Sequence, residues 1–562
     1  MSLPKLTLKH VLENSVETYP NHPALSFVDG DPITYKELGK QVTTLSEILR
    51  NQGVFAQDRI AILSENMPNW GVAYFAVTTM GAVAVPILPD FHANEVHHIL
   101  RHSEAKVIFI SEKQLLKLED AKIESLKTVF IIDDFSIIHP ESRSDKLRKF
   151  IQDGRREYNK LRESALKRIQ KGQTIVEEDQ TASIIYTSGT TGHSKGVVLT
   201  HKNIVFDAIS TLKFQPVTEN DRLLSILPLS HSYENTIGFI IPMVGGAHIY
   251  YLDKPPVPRV LIPAMQKVKP TMMLTVPLIM EKIYKARVHP QLTKNALMRK
   301  MYNNPVLRKK LHKLAAKKIM KTFGGELKFY GIGGALLSSD VELFLREGGF
   351  PYAIGYGLTE TSPLIAGTSV AETKFRSTGP AIPGVKIKIH EPDPKTGEGE
   401  IWVQGDNVMQ GYFRDPERTK EVFVNSWFRT GDLGILDKDG YLYIKGRLKN
   451  VIVGSNGENI YPEEIETILN KADYVMESLV YEKEGNLCAR VHLDYEELDK
   501  ELAVNKQSDT RLSEQIQEKL TELKKKVNAN VSPFSRISKI IEQQEPFEKT
   551  PTKKIKRYLY VE

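Results

Sequence analysis

The chain reads as an α/β protein: a large N-terminal domain of layered, mostly parallel sheets with a small β-subdomain, then a smaller α+β domain at the C-terminus. Three features predict this. Over the first 450 residues, helix-period stretches alternate with short apolar runs bounded by Gly, Pro or Asp. Strands that are apolar on both faces and interleaved with helices belong in parallel layers. From Gly384 to Ile444 the texture changes to short alternating strands, such as Val385-Lys386-Ile387-Lys388-Ile389 and Gly399-Glu400-Ile401-Trp402-Val403, which mark a small β-subdomain over about 380–445. From Asn450 a third pattern begins, with an apolar run followed by Pro462-Glu463-Glu464-Ile465-Glu466. The expected division is 1–448 and 449–562.

Each element has its own justification. The parallel strands are expected at Arg59-Ile60-Ala61-Ile62-Leu63, Lys106-Val107-Ile108-Phe109-Ile110, Thr128-Val129-Phe130-Ile131-Ile132 and Thr271-Met272-Met273-Leu274-Thr275-Val276-Pro277. Trp70 to Leu88 is 19 residues without a charge, near the minimum for a membrane span. It contains Gly71, Gly81 and Pro86, and a buried helix followed by a buried strand accounts for it better. Proline and glutamate at 462–464 suit a helix N-terminus, where negative charge is favoured and the missing proline N–H costs nothing. Leu512, Ile516, Leu520 and Leu523 line one face of a later helix in an otherwise charged stretch.

Bulk properties narrow the class. At 562 residues the chain is too long for one core, and 41% hydrophobic with 26% charged residues is ordinary for a soluble globular protein. The single cysteine, Cys488, excludes an intramolecular disulfide and a Cys-based zinc site. The first residues carry no basic region followed by an apolar run, so no signal peptide is read, and a cytoplasmic location is expected.

The run Tyr186-Thr187-Ser188-Gly189-Thr190-Thr191-Gly192-His193-Ser194-Lys195-Gly196 stands between two strand-like segments. Glycines admit an oxyanion close to the backbone, and N–H groups and hydroxyls can wrap around it, so the composition suits a polyphosphate. It is not a Walker A loop: Ser194 stands where glycine is needed, and Gly196 where Ser or Thr must follow the lysine. A plain Gly/Ser/Thr surface turn is the alternative. In its full order the run resembles the phosphate loop of the adenylate-forming superfamily of acyl-CoA ligases, luciferases and peptide-synthetase adenylation domains. Further motifs follow in the family's order: Gly333-Gly334-Ala335-Leu336-Leu337-Ser338, Gly355-Tyr356-Gly357-Leu358-Thr359-Glu360-Thr361, Thr430-Gly431-Asp432, Gly446-Arg447-Leu448-Lys449-Asn450 and Lys549-Thr550-Pro551-Thr552-Lys553-Lys554.

The resemblance covers nearly the whole chain and implies a large N-terminal domain, a hinge and a small mobile C-terminal lid. It also implies roles. Thr187, Ser188, Gly189, Thr190, Thr191, Gly192 and Lys195 would hold the β- and γ-phosphates of ATP, with Glu360 and Thr187 at Mg²⁺. Gly333, Gly334 and Ala335 would line one side of adenine, with Tyr356 stacked on the other and Gly357 beside it. Asp432 and Arg447 would contact the ribose, and Thr359 the α-phosphate or the acyl carboxylate. His231, in Leu227-Pro228-Leu229-Ser230-His231-Ser232-Tyr233-Glu234, matches the family's residue at the acyl carboxylate, although a lone histidine is also a common structural residue. Lys449 occupies the hinge. Lys554 would stabilise charge during adenylation; Lys553 precedes it where glycine is common, which leaves Lys553 or Lys554 as the residue that reaches the site.

Transferring AMP to a carboxylate gives an anhydride that a thiol can attack, and the step joins two anions, so it needs cations and donors. The activity implied is a fatty acid–CoA ligase, with long-chain acids favoured by the His231 segment, Gly457-Glu458-Asn459-Ile460-Tyr461-Pro462 and Thr550-Pro551-Thr552-Lys553-Lys554, which look like that branch. The alternatives are an acyl-ACP synthetase and a non-catalytic, membrane-associated fatty-acid binder.

Charge is unevenly distributed. The net charge is +7, with +7 on Lys146 to Lys171 and +13 on Lys282 to Lys321, leaving −13 on the rest. Such concentration suggests an anionic partner surface, either a membrane's inner face or nothing more than two solvated helix faces. No nucleic-acid motif accompanies it. Nothing in the sequence indicates an oligomeric state.

Overall fold

In the computed structural model, residues 3–119, 121–138, 147–168, 174–187, 194–453, 459–472, 474–495, 498, 509–550 and 554–561 are described. Two large sheets dominate. One has the strand order Tyr352–Ile354, Phe329–Ile332, Met272–Thr275, Arg222–Ser225, His248–Tyr251, Pro23–Phe27, Ile33–Thr34, parallel throughout except for the last pair. The other runs Gly411–Tyr412, Lys195–Thr200, Thr181–Thr187, Val83–Ile87, Arg59–Leu63, Val107–Ile110, Thr128–Ile131, Ser136–Ile138, with a parallel centre and antiparallel margins. The fold is therefore mixed α/β with parallel sheets. Its central strands are buried on both faces, which is why their sequences are continuous apolar runs.

Between the sheets lies an aromatic core. Proline at the first position starts the helix Pro68–Thr79, which is buried nearly all round, and the strand Val83–Ile87 follows it. Trp70 stacks on Tyr74 at 5.2 Å, and Phe239 meets both rings edge-on. Among the described residues, no helix is long and apolar enough to cross a membrane.

A third, antiparallel sheet joins Lys386–His390, Gly399–Gln404, Trp427–Leu436, Phe423–Val424 and Leu442–Arg447. Beyond it, Val475–Lys483, Asn486–Leu493 and Lys539–Glu542 form a three-stranded sheet. That sheet shares a separate core with the helices Pro462–Leu469 and Asp509–Asn528, to which Ile516, Leu520 and Leu523 contribute. The Leu512 side chain lies outside the described residues. Contacts from this C-terminal core to the rest include polar ones: Lys285 Nζ donates to the carbonyls of Ala472 (2.8 Å) and Val475 (3.0 Å), and Lys471 pairs with Asp340 at 3.0 Å.

The basic stretch 282–321 is not one helix. After the end of the helix Pro277–Ile283 it breaks into the π-helical turn Tyr284–Val288 and three helices, His289–Thr293, Ala296–Asn303 and Pro305–Thr322. Asn295 and Asn304 cap the second and third of these helices with their side-chain oxygens, and prolines stand in the first turns of the first and third. In the other basic stretch the helix Leu147–Arg168 turns Tyr158, Leu161 and Ala165 toward the main core, while Ile169 lies outside the described residues.

Phe239 is fully buried against Trp70, Tyr74 and Phe75. Phe239→Ala is expected to destabilise the protein by about 3–5 kcal/mol, because the cavity left adds to the lost transfer energy. A urea midpoint unchanged from wild type would contradict this packing.

Candidate active site

The strands Thr181–Thr187 and Lys195–Thr200 pair antiparallel, with Thr187 opposite Lys195, so both ends of the glycine-rich loop are anchored at one point. Ser188, Gly189, Thr190, Thr191 and Gly192 lie outside the described residues. Thr187 Oγ1 is buried and has no hydrogen-bond partner among the described residues. Lys195 Nζ donates to Glu360 Oε1 (2.7 Å) and to the Tyr412 hydroxyl (2.6 Å), which itself donates to Glu360 Oε1 at 2.9 Å. Tyr412 is there because Gly411–Tyr412 adds a short strand beside Lys195–Thr200, and its ring also lies 4.2 Å from the Lys195 ammonium. Burial alone would raise the Glu360 pKa; the Lys195 charge and these hydrogen bonds overcome it and hold the carboxyl below its usual value.

Glu360 sits in a short 3₁₀ turn, Thr359–Thr361, between the paired strands Tyr356–Gly357 and Leu364–Ala366. That pairing is close. A Cβ on Gly357 would lie 1.8 Å from the Pro363 carbonyl oxygen, so only glycine fits. Thr359 Oγ1 is 3.5 Å from Ser232 Oγ. The Tyr356 hydroxyl donates to Asp432 Oδ2 at 2.6 Å, and Arg447 Nε reaches Asp432 Oδ1 at 2.8 Å. Asp432 and Arg447 face each other across neighbouring strands of the third sheet. Burial pushes the Asp432 pKa up, opposed by Arg447 and the Tyr356 hydrogen bond. Gly333 and Gly334 follow the strand Phe329–Ile332; Gly333 packs against the Tyr233 ring, and Gly334, at φ +88°, and Ala335 are exposed.

Lys554 comes from the far end of the chain. Its backbone is tied to Thr550, whose N–H donates to the Lys554 carbonyl at 2.7 Å. The residue keeps much of its surface in solvent. Lost hydration, and then the Arg447 charge, lower its pKa against the pull of Asp432 and Glu360. The same ammonium helps keep His231 neutral: burial, and next Lys554, lower the imidazole pKa to about 4. Lys553 lies outside the described residues. Lys449 is exposed in the 3₁₀ turn Leu448–Asn450.

His231 is held by a polar network that sequence reasoning missed. Its N–H donates to the Pro228 carbonyl (2.9 Å), and the Tyr233 N–H donates to its Nδ1 (3.3 Å), so the neutral ring carries its proton on Nε2. The loop is fixed from behind by Asn66. Asn66 Nδ2 donates to the Leu227 carbonyl (2.6 Å) and to Ser225 Oγ (3.0 Å), while its Oδ1 accepts from the Leu229 N–H at 2.9 Å. Ser225 Oγ in turn donates to Glu234 Oε1 at 2.5 Å. Glu234 is 1% exposed and opens the π-helical turn Glu234–Ile240, with its carboxyl packed against Gly238. Burial pushes its pKa to about 8, so it is a neutral acid at pH 7. The only signal for it in the sequence was a lone carboxylate entering an apolar run.

An apolar cavity opens nearby, lined by Phe214, Val217, Tyr233, Ile237, Met272, Leu274 and Phe329. Among the described residues no cluster of three or more His, Cys, Asp or Glu could cage a metal ion. The family model for AMP-binding enzymes matches residues 12–413, and the arrangement above falls largely inside that span. The chain belongs to the AMP-binding enzyme family.

Members of the family with curated names share much of the chain. It is 30% identical over 523 residues to the long-chain-fatty-acid–CoA ligase heimdall of Drosophila melanogaster, covering 84% of this chain and 73% of that one. It is 29% identical to the chloroplastic long-chain-fatty-acid–[acyl-carrier-protein] ligase AEE15 of Arabidopsis thaliana, covering 81% and 72%. The fold is similar to that of Bacillus subtilis O-succinylbenzoate coenzyme A synthetase in complex with ATP and magnesium ion, with a TM-score of 0.72 and 23% identity over 98% of each chain. This member of the AMP-binding family is an adenylate-forming ligase.

The neutral Glu234 has a measurable consequence. Folded protein keeps its proton up to about pH 8, whereas the unfolded chain loses it above the ordinary value of 4.5. The folded state thus binds the extra proton between those values, and stability falls as pH rises across the window. Glu234→Gln, which cannot ionise, is expected to remove that slope in melts from pH 5 to 8. Parallel wild-type and Glu234→Gln curves would show that Glu234 is ionised in the fold.

Proposed function

We propose that this enzyme is a fatty acid–CoA ligase acting on long-chain acids: a carboxylate and ATP give acyl-AMP and pyrophosphate, and the CoA thiol then displaces AMP to give acyl-CoA. The observation that carries the reading is that Lys195 pairs with Glu360 and Arg447 with Asp432, drawn from separate segments, with Lys554 near enough to act on His231 through its charge, beside an apolar cavity. A site of cations and donors next to a hydrophobic slot suits the union of a phosphate with an apolar carboxylate.

The roles proposed are those the family resemblance implies. Lys195, with the loop it closes, binds the β- and γ-phosphates. Thr187, whose buried hydroxyl lacks a partner among the described residues, and Glu360 would hold Mg²⁺, which when bound neutralises phosphate charge. Asp432 and Arg447 receive the ribose, and Tyr356 with Gly333, Gly334 and Ala335 encloses adenine. His231 Nε2–H donates toward the acyl carboxylate beside Thr359, and Lys554 offsets the charge that builds at the α-phosphate. In this reading residues 449–562 are a lid that brings Lys554 in for the first step and turns at Lys449 to admit the thiol.

An acyl-carrier-protein ligase is the second reading, favoured by the similar identity to such an enzyme. A panel of acids from C4 to C18, assayed with CoA and with holo-acyl-carrier protein, distinguishes them. The expected result is highest kcat/KM with long acids and CoA; preference for the carrier protein would move the assignment to the second reading. Absence of ATP–pyrophosphate exchange with every acid would reduce the chain to a binder.

The half-reactions are expected to separate. Lys554→Ala should lose adenylation by about 10²–10³-fold, equivalent to about 3–4 kcal/mol for one charge-stabilising donor. It should still convert supplied acyl-AMP and CoA to acyl-CoA. Lys449→Pro should do the reverse, since proline fixes φ at the turn. Stopped-flow assays of each half-reaction check both; equal loss of both steps in either variant would remove the two-position lid.

A further inference from the structure

The structure gathers the later lysines of the basic stretch on one side of a helix. On the helix Pro305–Thr322 the exposed positions are Pro305, Val306, Lys309, Lys310, Lys313, Leu314, Lys317, Lys318 and Lys321, recurring at helical spacing. The opposite face is packed: His312, Ala316 and Ile319 are buried, and Ala316 lies against Gly348. Arg308 turns inward to pair with Glu347 at 2.8 Å. Among the described residues none of the six exposed lysines has an acidic partner within ion-pair distance. The neighbouring helix Ala296–Asn303 and the residue before its cap extend the face with exposed Lys294, Arg299 and Lys300.

Three apolar side chains stand among these cations, Leu297, Val306 and Leu314, at 67%, 67% and 63% exposure. Lysines repeated four apart repel one another, and the carboxylate that lines the same surface beside Lys309, Lys310 and Lys313, Glu347, is already paired with Arg308. A surface that is both strongly cationic and studded with exposed aliphatic groups matches the headgroup–acyl boundary of a bilayer. A nucleic acid or an acidic protein would answer the lysines and leave the aliphatic groups unexplained.

We propose that the outer face of the 296–303 and 305–322 helices docks on an anionic lipid bilayer, with the lysines at the headgroups and Leu297, Val306 and Leu314 entering the boundary below them. The docking stands on the charge and exposure of this face alone; the fatty-acid reading supplies only its purpose, delivery of a lipid-soluble substrate.

The test is co-sedimentation of the full chain with phosphatidylglycerol/phosphatidylcholine vesicles and with pure phosphatidylcholine vesicles, without fatty acid, ATP or CoA, so that failure here leaves the enzymatic reading intact. Wild type is expected to bind the anionic vesicles only, and more weakly as salt rises. With each lysine near the surface contributing about fivefold, Lys309→Glu, Lys310→Glu, Lys317→Glu and Lys318→Glu together should weaken binding by at least about 100-fold. Leu297→Ser, Val306→Ser and Leu314→Ser together should weaken it while leaving the charge unchanged, with unaltered circular dichroism showing that both variants fold. Wild type that ignores anionic vesicles at low salt, or variants that bind as wild type does, would overturn the proposal. Binding to a DNA duplex as tight as to vesicles and indifferent to the serine substitutions would assign the face to nucleic acid instead.

Discussion

A carboxylate removed from water must be met by a cation and donors, and Glu360 is that carboxylate here. Its compensation comes from Lys195, at the end of one strand, and Tyr412, on another, while Glu360 itself lies in a turn set by a third pairing. Removing one partner from such a group costs far more than the pair contributes, because a buried charge is left alone. The demand therefore ties the glycine-rich loop, the Tyr356–Thr361 motif and the Gly411–Tyr412 strand into one unit. The Met409 N–H adds to it by donating to the Glu360 carbonyl at 2.9 Å. The geometry of this unit is thus organised by the protein's own charges.

Glu234 meets the same physics with the opposite answer. Among the described residues no cation pairs with it, and a single hydroxyl, from Ser225, reaches it. Burial keeps it protonated rather than paired. As a neutral acid it can anchor the chain of hydrogen bonds through Ser225 and Asn66 to the loop carrying His231 without placing a charge beside the apolar cavity. Two buried glutamates near one site differ in protonation because one has a lysine within reach and the other does not. That difference divides the site into a charged half suited to phosphate and a neutral half suited to an apolar acid.

The third component arrives from a distance. Lys554 is carried by a segment tied to the C-terminal core, and the contacts from that core to the body include the Lys471–Asp340 pair and the Lys285 ammonium on two carbonyls. Such polar, partly solvated contacts are each weak, unlike the aromatic core around Phe239.

The amino-acid order alone determined the α/β class, because continuous apolar strands interleaved with helices have few other solutions. Local chemistry was equally legible. Pro462 with Glu463 and Glu464 starts a helix, the uncharged run after Trp70 is a buried helix and strand, and the glycine-rich run lies between two strands. The ordered motifs also indicated the family and which residues to examine. Tertiary structure decided what the one-dimensional pattern does not encode. Tyr412 joins Glu360 only through the pairing of Gly411–Tyr412 with a strand more than 200 residues earlier. Asn66 reaches the His231 loop across two sheets' worth of chain, and Glu234 shows its neutrality only when its surroundings are counted. The lysines of 309–321 are a plain charge run in sequence, and packing of the opposite helix face against Gly348 is what turns them outward together. Propensity and periodicity depend on near neighbours along the chain, whereas pKa, hydrogen-bond partnership and exposure depend on neighbours in space.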